Sequence, residues 1–261
     1  MTLSVDPIPA VAWRNVRKAY PNAHEALRGV SLDVARGEFL AILGTSGSGK
    51  TTLLKMVNRL IEPTDGDVVV DGRLTRDWDP IALRRSIGYV IQEVGLMPHL
   101  DVLANVGLVP RLQGVPRSTY EERARQKLAL VGLEPDRFSR VLPHELSGGQ
   151  RQRVGVARAL AAEPELILMD EPFGALDPIT RRELQGEFRQ LQRQLGKTVV
   201  FVTHDLREAC RIADRLVLMD HGVLIQQGQP ADFLDRPATE FVRLFFQDAD
   251  AAVPPRGGER A

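Results

Sequence analysis

Residues Gly44 to Thr51 read Gly-Thr-Ser-Gly-Ser-Gly-Lys-Thr, a glycine loop closed by a lysine and a hydroxyl. Glycines let backbone N–H groups close on phosphate oxygens, Lys50 neutralises β and γ phosphates, and the Thr51 hydroxyl can reach Mg2+. Asp170 and Glu171 follow the apolar run Leu166–Met169. A carboxylate at the carboxyl end of a buried strand can hold Mg2+ through water, and its neighbour can orient a second water or take its proton. His204 closes another apolar run and can donate to a phosphate oxygen. Leu146 to Gln150, Leu-Ser-Gly-Gly-Gln, forms a second anion-binding loop before a helix but has no lysine of its own. Two half-sites in one chain point to a head-to-tail pair of copies, each closing its serine loop over the nucleotide held by the other.

The elements around these residues are those the chemistry needs. Phe39–Leu43 is a near-continuous apolar run that predicts a buried strand feeding the glycine loop, and Leu53, Val57 and Leu60 recur at helical spacing after it. Pro80–Arg85 predicts a short helix and Ile87–Ile91 a strand with Gln92 at its end; Gln92–Leu100 lacks periodicity and reads as a loop. Asp101 is expected to cap a helix running to Arg111 or Leu112, followed by a charged helix over Thr119–Val131 and a third after the serine loop. The α/β rhythm then returns with strands at Leu166–Met169 and Thr198–Val202 around a helix over Arg181–Leu195, whose apolar face is Leu184, Phe188, Leu191 and Leu195. A helix over Leu206–Ala213, two more strands and two short helices lead to Phe246, and Asp248–Ala261 reads as a disordered tail.

Composition narrows the class. The 261 residues carry 34 basic and 34 acidic side chains, so no net charge draws the chain to nucleic acid or anionic lipid. The single cysteine, Cys210, lies in an apolar helical stretch, excludes an internal disulfide and is expected to be buried and inert. No run approaches the ~20 apolar residues needed to cross a bilayer, and Met1–Ala10 lacks the layout of a secretory signal. His24, His99, His144 and His221 fall in loops or turns and read as surface residues; no His pair has metal-ligand spacing.

Taken together, these residues resemble the ATP-binding subunit of ABC transporters: Walker A over Gly44–Thr51, Gln92 as the Q-loop, Leu146–Gln150 as the signature, Leu166–Asp170 as Walker B, Glu171, Gly174–Asp177 as the D-loop and His204 as the switch. The resemblance covers roughly Ala10 to Phe246. It implies an α/β P-loop NTPase with a RecA-like parallel-sheet core, an N-terminal antiparallel β subdomain and an α-helical subdomain inserted at about 93–161. The ATPase domain would occupy 1–246 and the tail 247–261. ATP and Mg2+ are the implied cofactors. Gly44, Thr45, Ser46, Gly47, Ser48, Gly49, Lys50, Thr51 and Thr52 would hold phosphate, and Tyr20 would stack on adenine. Thr51, Gln92 and Asp170 would serve Mg2+, Glu171 would be the general base, and His204 would sense the γ-phosphate. Ser147, Gly148, Gly149 and Gln150 would act across a homodimer; Asp177 also belongs to the nucleotide-binding set, while Gly174 stands where many members have serine.

Within that family, Lys55–Thr64, Ile87–His99 and Phe173–Arg181 look like the importers of glycine betaine, choline or carnitine. The implied partners are integral-membrane permease subunits and, indirectly, a solute-binding protein, with no nucleic acid; the implied place is cytoplasmic, on the inner face of the membrane. Many members of that group continue into paired CBS domains, which the short polar tail here does not suggest. Other transported substrates (amino acid, sulfonate or lipid) and a non-transport ABC ATPase are the alternatives, with a P-loop kinase or GTPase further off.

Overall fold

The computed structural model describes residues 8–21, 25–92 and 94–247. The expected tail beyond Gln247, the first seven residues and His24 lie outside the described residues.

In chain order, β1 (Val11–Ala19) and β2 (Glu25–Val34) pair antiparallel with Val11 opposite Val34. β3 (Phe39–Gly44) is buried at every position, as expected of an apolar run without alternation. It delivers the glycine loop to α1 (Lys50–Val57), after which come β4 (Asp65–Val70) and β5 (Arg73–Leu74). Next are α2 (Pro80–Ser86), β6 (Ile87–Val90), α3 (Val102–Val106), α4 (Leu108–Leu112), α5 (Arg117–Leu130), α6 (Pro135–Phe138) and α7 (Gly148–Leu160). β7 (Leu166–Asp170), α8 (Pro178–Leu195), β8 (Thr198–Val202) and α9 (Leu206–Ile212) follow. β9 (Arg215–Asp220), β10 (Val223–Gly228), α10 (Pro230–Asp235) and α11 (Glu240–Phe246) complete the described chain. Among the described residues no helix is long and apolar enough to cross a membrane.

Two units emerge, one from Met1–Asp79 with Thr198–Ala261 and one from Pro80–Lys197. In the first, β2, β1, β4 and β5 form an antiparallel sheet in that order, while β3 lies between the parallel strands β8 and β9, with β10 antiparallel on β9. Its core is aromatic in part: Phe39 meets Phe201 edge-on at 5.9 Å, and the buried Trp13 indole donates to the Leu53 carbonyl at 3.1 Å. In the second unit, β6 and β7 run parallel with Ile87 opposite Leu166 and Val90 opposite Met169. α7 lies so close to β6 that a Cβ on Gly88 would stand 2.8 Å from the Ala159 carbonyl oxygen.

Helix ends follow local chemistry. Ser147 caps α7 by accepting from the Gln150 N–H while Gln150 Oε1 accepts from the Ser147 N–H at 2.9 Å, a reciprocal capping box. Asp177 caps α8 through the N–H groups of Ile179 and Thr180, and Pro178 opens the helix where a missing N–H costs nothing.

Three local expectations need correction. The helix expected from Asp101 to Arg111 or Leu112 is two helices meeting at Gly107, where a Cβ would stand 2.9 Å from the Tyr120 ring of α5. Leu60 is outside α1 and 49% exposed, because the helix ends at Val57 and Arg59 turns into the left-handed region at φ 54°. Leu195 is the last residue of α8 and 37% exposed, while Leu184, Phe188 and Leu191 are buried. The thiol of Cys210 is buried as expected, and desolvation, aided by the charge of Asp205, pushes its pKa up to about 12.

Candidate active site

In the first unit the glycine loop turns sharply out of β3. Gly44 and Gly49 have φ values of 152° and 99°, and a Cβ on them would stand 2.2 Å from the Met219 carbonyl oxygen and 2.5 Å from that of Ala26. Only glycine fits both the backbone and the space. Lys50 is almost wholly buried; its ammonium donates to the carbonyls of Gly44 at 2.8 Å and Thr45 at 2.7 Å, the loop it would share with a phosphate. Thr45 Oγ1 donates to Asp220 at 3.1 Å and the Gly222 N–H donates to the Ser48 carbonyl at 3.2 Å, so the turn between β9 and β10 braces the loop. Ser46 and Gly47 are exposed, whereas Gly49, Thr51 and Thr52 are half-buried.

His204 leaves β8 at the same sheet edge. The Thr203 N–H donates to the Ile42 carbonyl at 3.2 Å, two residues before the glycine loop begins. Thr203 hydrogen-bonds the buried Glu208 through its hydroxyl, Asp205 caps α9, and the His204 side chain is exposed. Tyr20, half-buried, has the Lys18 ammonium 5.3 Å from its ring centre.

In the second unit the parallel pairing of β6 and β7 sends Gln92 and the two carboxylates to one edge. Asp170 is 8% exposed, and Gln92 Nε2 donates to Glu171 Oε2 at 3.4 Å. Glu171 holds φ 46°, a left-handed conformation that an L-residue keeps only when its surroundings impose it. Beside them, burial and then the negative charge of Asp170 raise the Tyr89 phenol well above its ordinary pKa. Ser147 is exposed, Gly148, Gly149 and Gln150 are half-buried, and a Cβ on Gly149 would stand 2.8 Å from the Thr180 methyl. The Asp177 carboxyl lies below its ordinary pKa because the Thr180 hydroxyl and backbone N–H groups bond its charged form.

The structure adds two residues that spacing did not single out. Tyr89 sits one strand over from Asp170, hidden in sequence because a single tyrosine in a strand carries no motif. Arg158, in the last turn of α7, donates to the carbonyls of Val94 and Gly95 just beyond Gln92, the latter at 2.6 Å. A basic residue three positions after a buried helical glycine, Gly155, was the available signal.

The ABC transporter family profile matches residues 27–174, more than half of the chain. The chain belongs to the ABC transporter family. Its fold is that of the family's ATPases, and its sheet and helix pattern matches two solved ABC proteins. One is the ATP-binding cassette MJ0796 in a dimeric post-hydrolysis state with ADP and Pi, 39% identical with a TM-score of 0.75 over 84% of this chain and 98% of that one. The other is cbiO1 of Clostridium perfringens, part of an ABC transporter complex, 27% identical with a TM-score of 0.81 over 95% of this chain and 97% of that one.

Among curated relatives, this ABC chain is 55% identical to the choline transport ATP-binding protein OpuBA of Bacillus subtilis over 88% of its own length. It spans 60% of the length of that relative. It is 49% identical to the glycine betaine uptake system ATP-binding protein YehX of Escherichia coli, over 93% of its own length and 78% of that protein's.

Proposed function

We propose that this ABC chain is the ATP-hydrolysing subunit of an importer that takes up a quaternary ammonium osmoprotectant of the glycine betaine, choline or carnitine type through a separate permease. The likeness to the glycine betaine uptake protein, 49% identical over 78% of that protein, carries the substrate class. The buried Lys50, donating to the Gly44 and Thr45 carbonyls of the glycine loop, supports the nucleotide chemistry.

The roles follow each residue's position. Lys50 and the N–H groups of Gly44 to Thr52 would hold ATP phosphates at the start of α1, where aligned N–H groups favour anions. Tyr20 would cover the adenine. The Thr51 hydroxyl, the Gln92 amide oxygen and the Asp170 carboxylate are hard oxygen donors that suit Mg2+, and no cluster of three His, Cys, Asp or Glu among the described residues offers an all-protein metal cage. Mg2+, when bound with ATP, would neutralise charge on the transferred phosphoryl group. Glu171, held by Gln92, would orient the attacking water and accept its proton; His204 would donate to the γ-phosphate. Ser147 to Gln150 at the start of α7, with Asp177, would complete the nucleotide site of a second copy, in keeping with a dimeric homologue of known structure. The helical stretch of about 93–161 would face the permease, placing the chain on the inner surface of the membrane with a solute-binding protein as an indirect partner and no nucleic acid.

Labelled choline or glycine betaine uptake in a deletion strain, with and without the chain and its neighbouring permease genes, tests the substrate class; unchanged uptake of both solutes sinks it. Purified protein with Mg2+-ATP tests hydrolysis. A Ser147→Arg variant tests the shared site: it should still bind ATP yet lose ATP-dependent dimerisation on a sizing column, and dimers at wild-type level would remove the cross-chain role.

A further inference from the structure

Among the described residues, the turn that follows Gln92 is held in part by its own neighbours and in part by α7. It is closed by the Val94 N–H donating to the Ile91 carbonyl at 3.0 Å. Val94 itself holds φ 56°, a strained position for a β-branched residue. Such a conformation persists only where other contacts over-determine it, and α7 supplies several of them.

Arg158 of that helix donates one guanidinium N–H to the Gly95 carbonyl at 2.6 Å and another to the Val94 carbonyl. One turn earlier, Gly155 leaves room for the buried Val94 side chain: a Cβ there would stand 2.5 Å from Val94 Cγ1. Gly95 is equally confined, since a Cβ would stand 2.6 Å from Ile91 Cδ1. Burial lowers the Arg158 pKa from its ordinary value, but a guanidinium stays charged at neutral pH and its planar fork suits two carbonyls at once. The same helix begins with Ser147–Gln150.

We propose that Arg158 is a positioning residue: it ties the turn bearing Gln92 to the helix that presents Ser147–Gln150, so that Gln92 is held against Glu171 and the two loops move as one piece. Arg158 touches neither nucleotide nor water in this scheme and acts through Gln92. The inference rests on the ATPase reading above and adds to it how one loop senses the other. α7 is a rod of 13 residues, long enough to carry a displacement from one end to the other without changing its own hydrogen bonds.

The test compares wild type, Arg158→Lys and Arg158→Leu in full-length protein. Turnover, the KM for ATP, the Mg2+ concentration giving half-maximal rate, thermal melting and deuterium uptake at residues 94–100 are measured on each. Arg158→Leu should lower kcat by about tenfold with KM for ATP within about twofold, because a misplaced positioning group costs rate more than binding. It should also raise the Mg2+ requirement and speed exchange at Val94 and Gly95, and Lys, which can serve one carbonyl, should restore part of each. A merely structural role would lower the melting temperature of Arg158→Leu while leaving kcat and Mg2+ dependence as in wild type, and that result overturns the proposal. Should Arg158→Leu not fold, Arg158→Lys decides: wild-type turnover with wild-type exchange at 94–100 overturns it, and lowered turnover with faster exchange supports it. A wild-type protein that hydrolyses no ATP refutes the ATPase reading instead, while the exchange data still decide whether Arg158 tethers the Gln92 turn.

Discussion

The glycine loop at Gly44–Thr51 and the Gln92 loop are built on opposite plans. Lys50 reaches back only five and six residues to the Thr45 and Gly44 carbonyls, while Gly44 and Gly49 leave room for the carbonyls of Met219 and Ala26. The Gln92 turn, by contrast, is held by an arginine 63 residues away from Gly95 in sequence. The lysine that closes the glycine loop is thus local, and the turn between β9 and β10 adds a brace through Asp220 and Gly222. In the proposed ATPase the Gln92 loop would report on the nucleotide, and being fastened to α7 would let it do so. The Gln92 turn stores strain at Val94, as does Glu171 beyond β7, where the first loop has glycine at its positive-φ positions.

The comparison can be broken or sharpened by experiment. The largest effect is expected at Glu171, where Glu171→Gln keeps a hydrogen-bonding partner for Gln92 but loses the base. Hydrolysis should fall by about 10²- to 10⁴-fold with ATP binding intact and dimers accumulating, measured as phosphate release. Near-normal release would remove Glu171 from the chemistry. Next comes Gly49→Ala. Its Cβ would meet the Ala26 carbonyl, and φ 99° is closed to alanine, so ATP affinity should drop by about tenfold or more while a fluorescence titration still shows a folded protein. Wild-type affinity would mean that the loop is slacker than its geometry implies.

The smallest effect is expected at the cap of α8. Because the Asp177 carboxyl lies below its ordinary pKa, its stabilising contribution is present above the unfolded-state value and lost as pH falls through the folded one. The melting-temperature gap between wild type and Asp177→Asn should therefore shrink below about pH 4. A gap that grows with acid would reverse the assigned sign.

Much of the candidate site was legible because its spacing is local. Gly44–Thr51, Ser147–Gln150, the carboxylates after Leu166–Met169 and His204 after β8 each announce themselves through a few neighbouring residues, and β3, β6, β7 and β8 were read close to their observed limits. Resemblance supplied the roles of Gln92 and Tyr20, which periodicity alone could not. What spacing missed involves residues far apart in the chain. The break at Gly107 depends on the ring of Tyr120, and the raised phenol of Tyr89 depends on burial beside Asp170.

The sequence by itself determined the glycine loop, the strand ends that carry acids and histidine, and the helix-capping serine loop, because backbone sterics and capping are local. Only the tertiary structure decided how the Gln92 turn is held. A carbonyl's partner is chosen by whichever donor the fold brings within reach, and no pattern of residues around Val94 names Arg158.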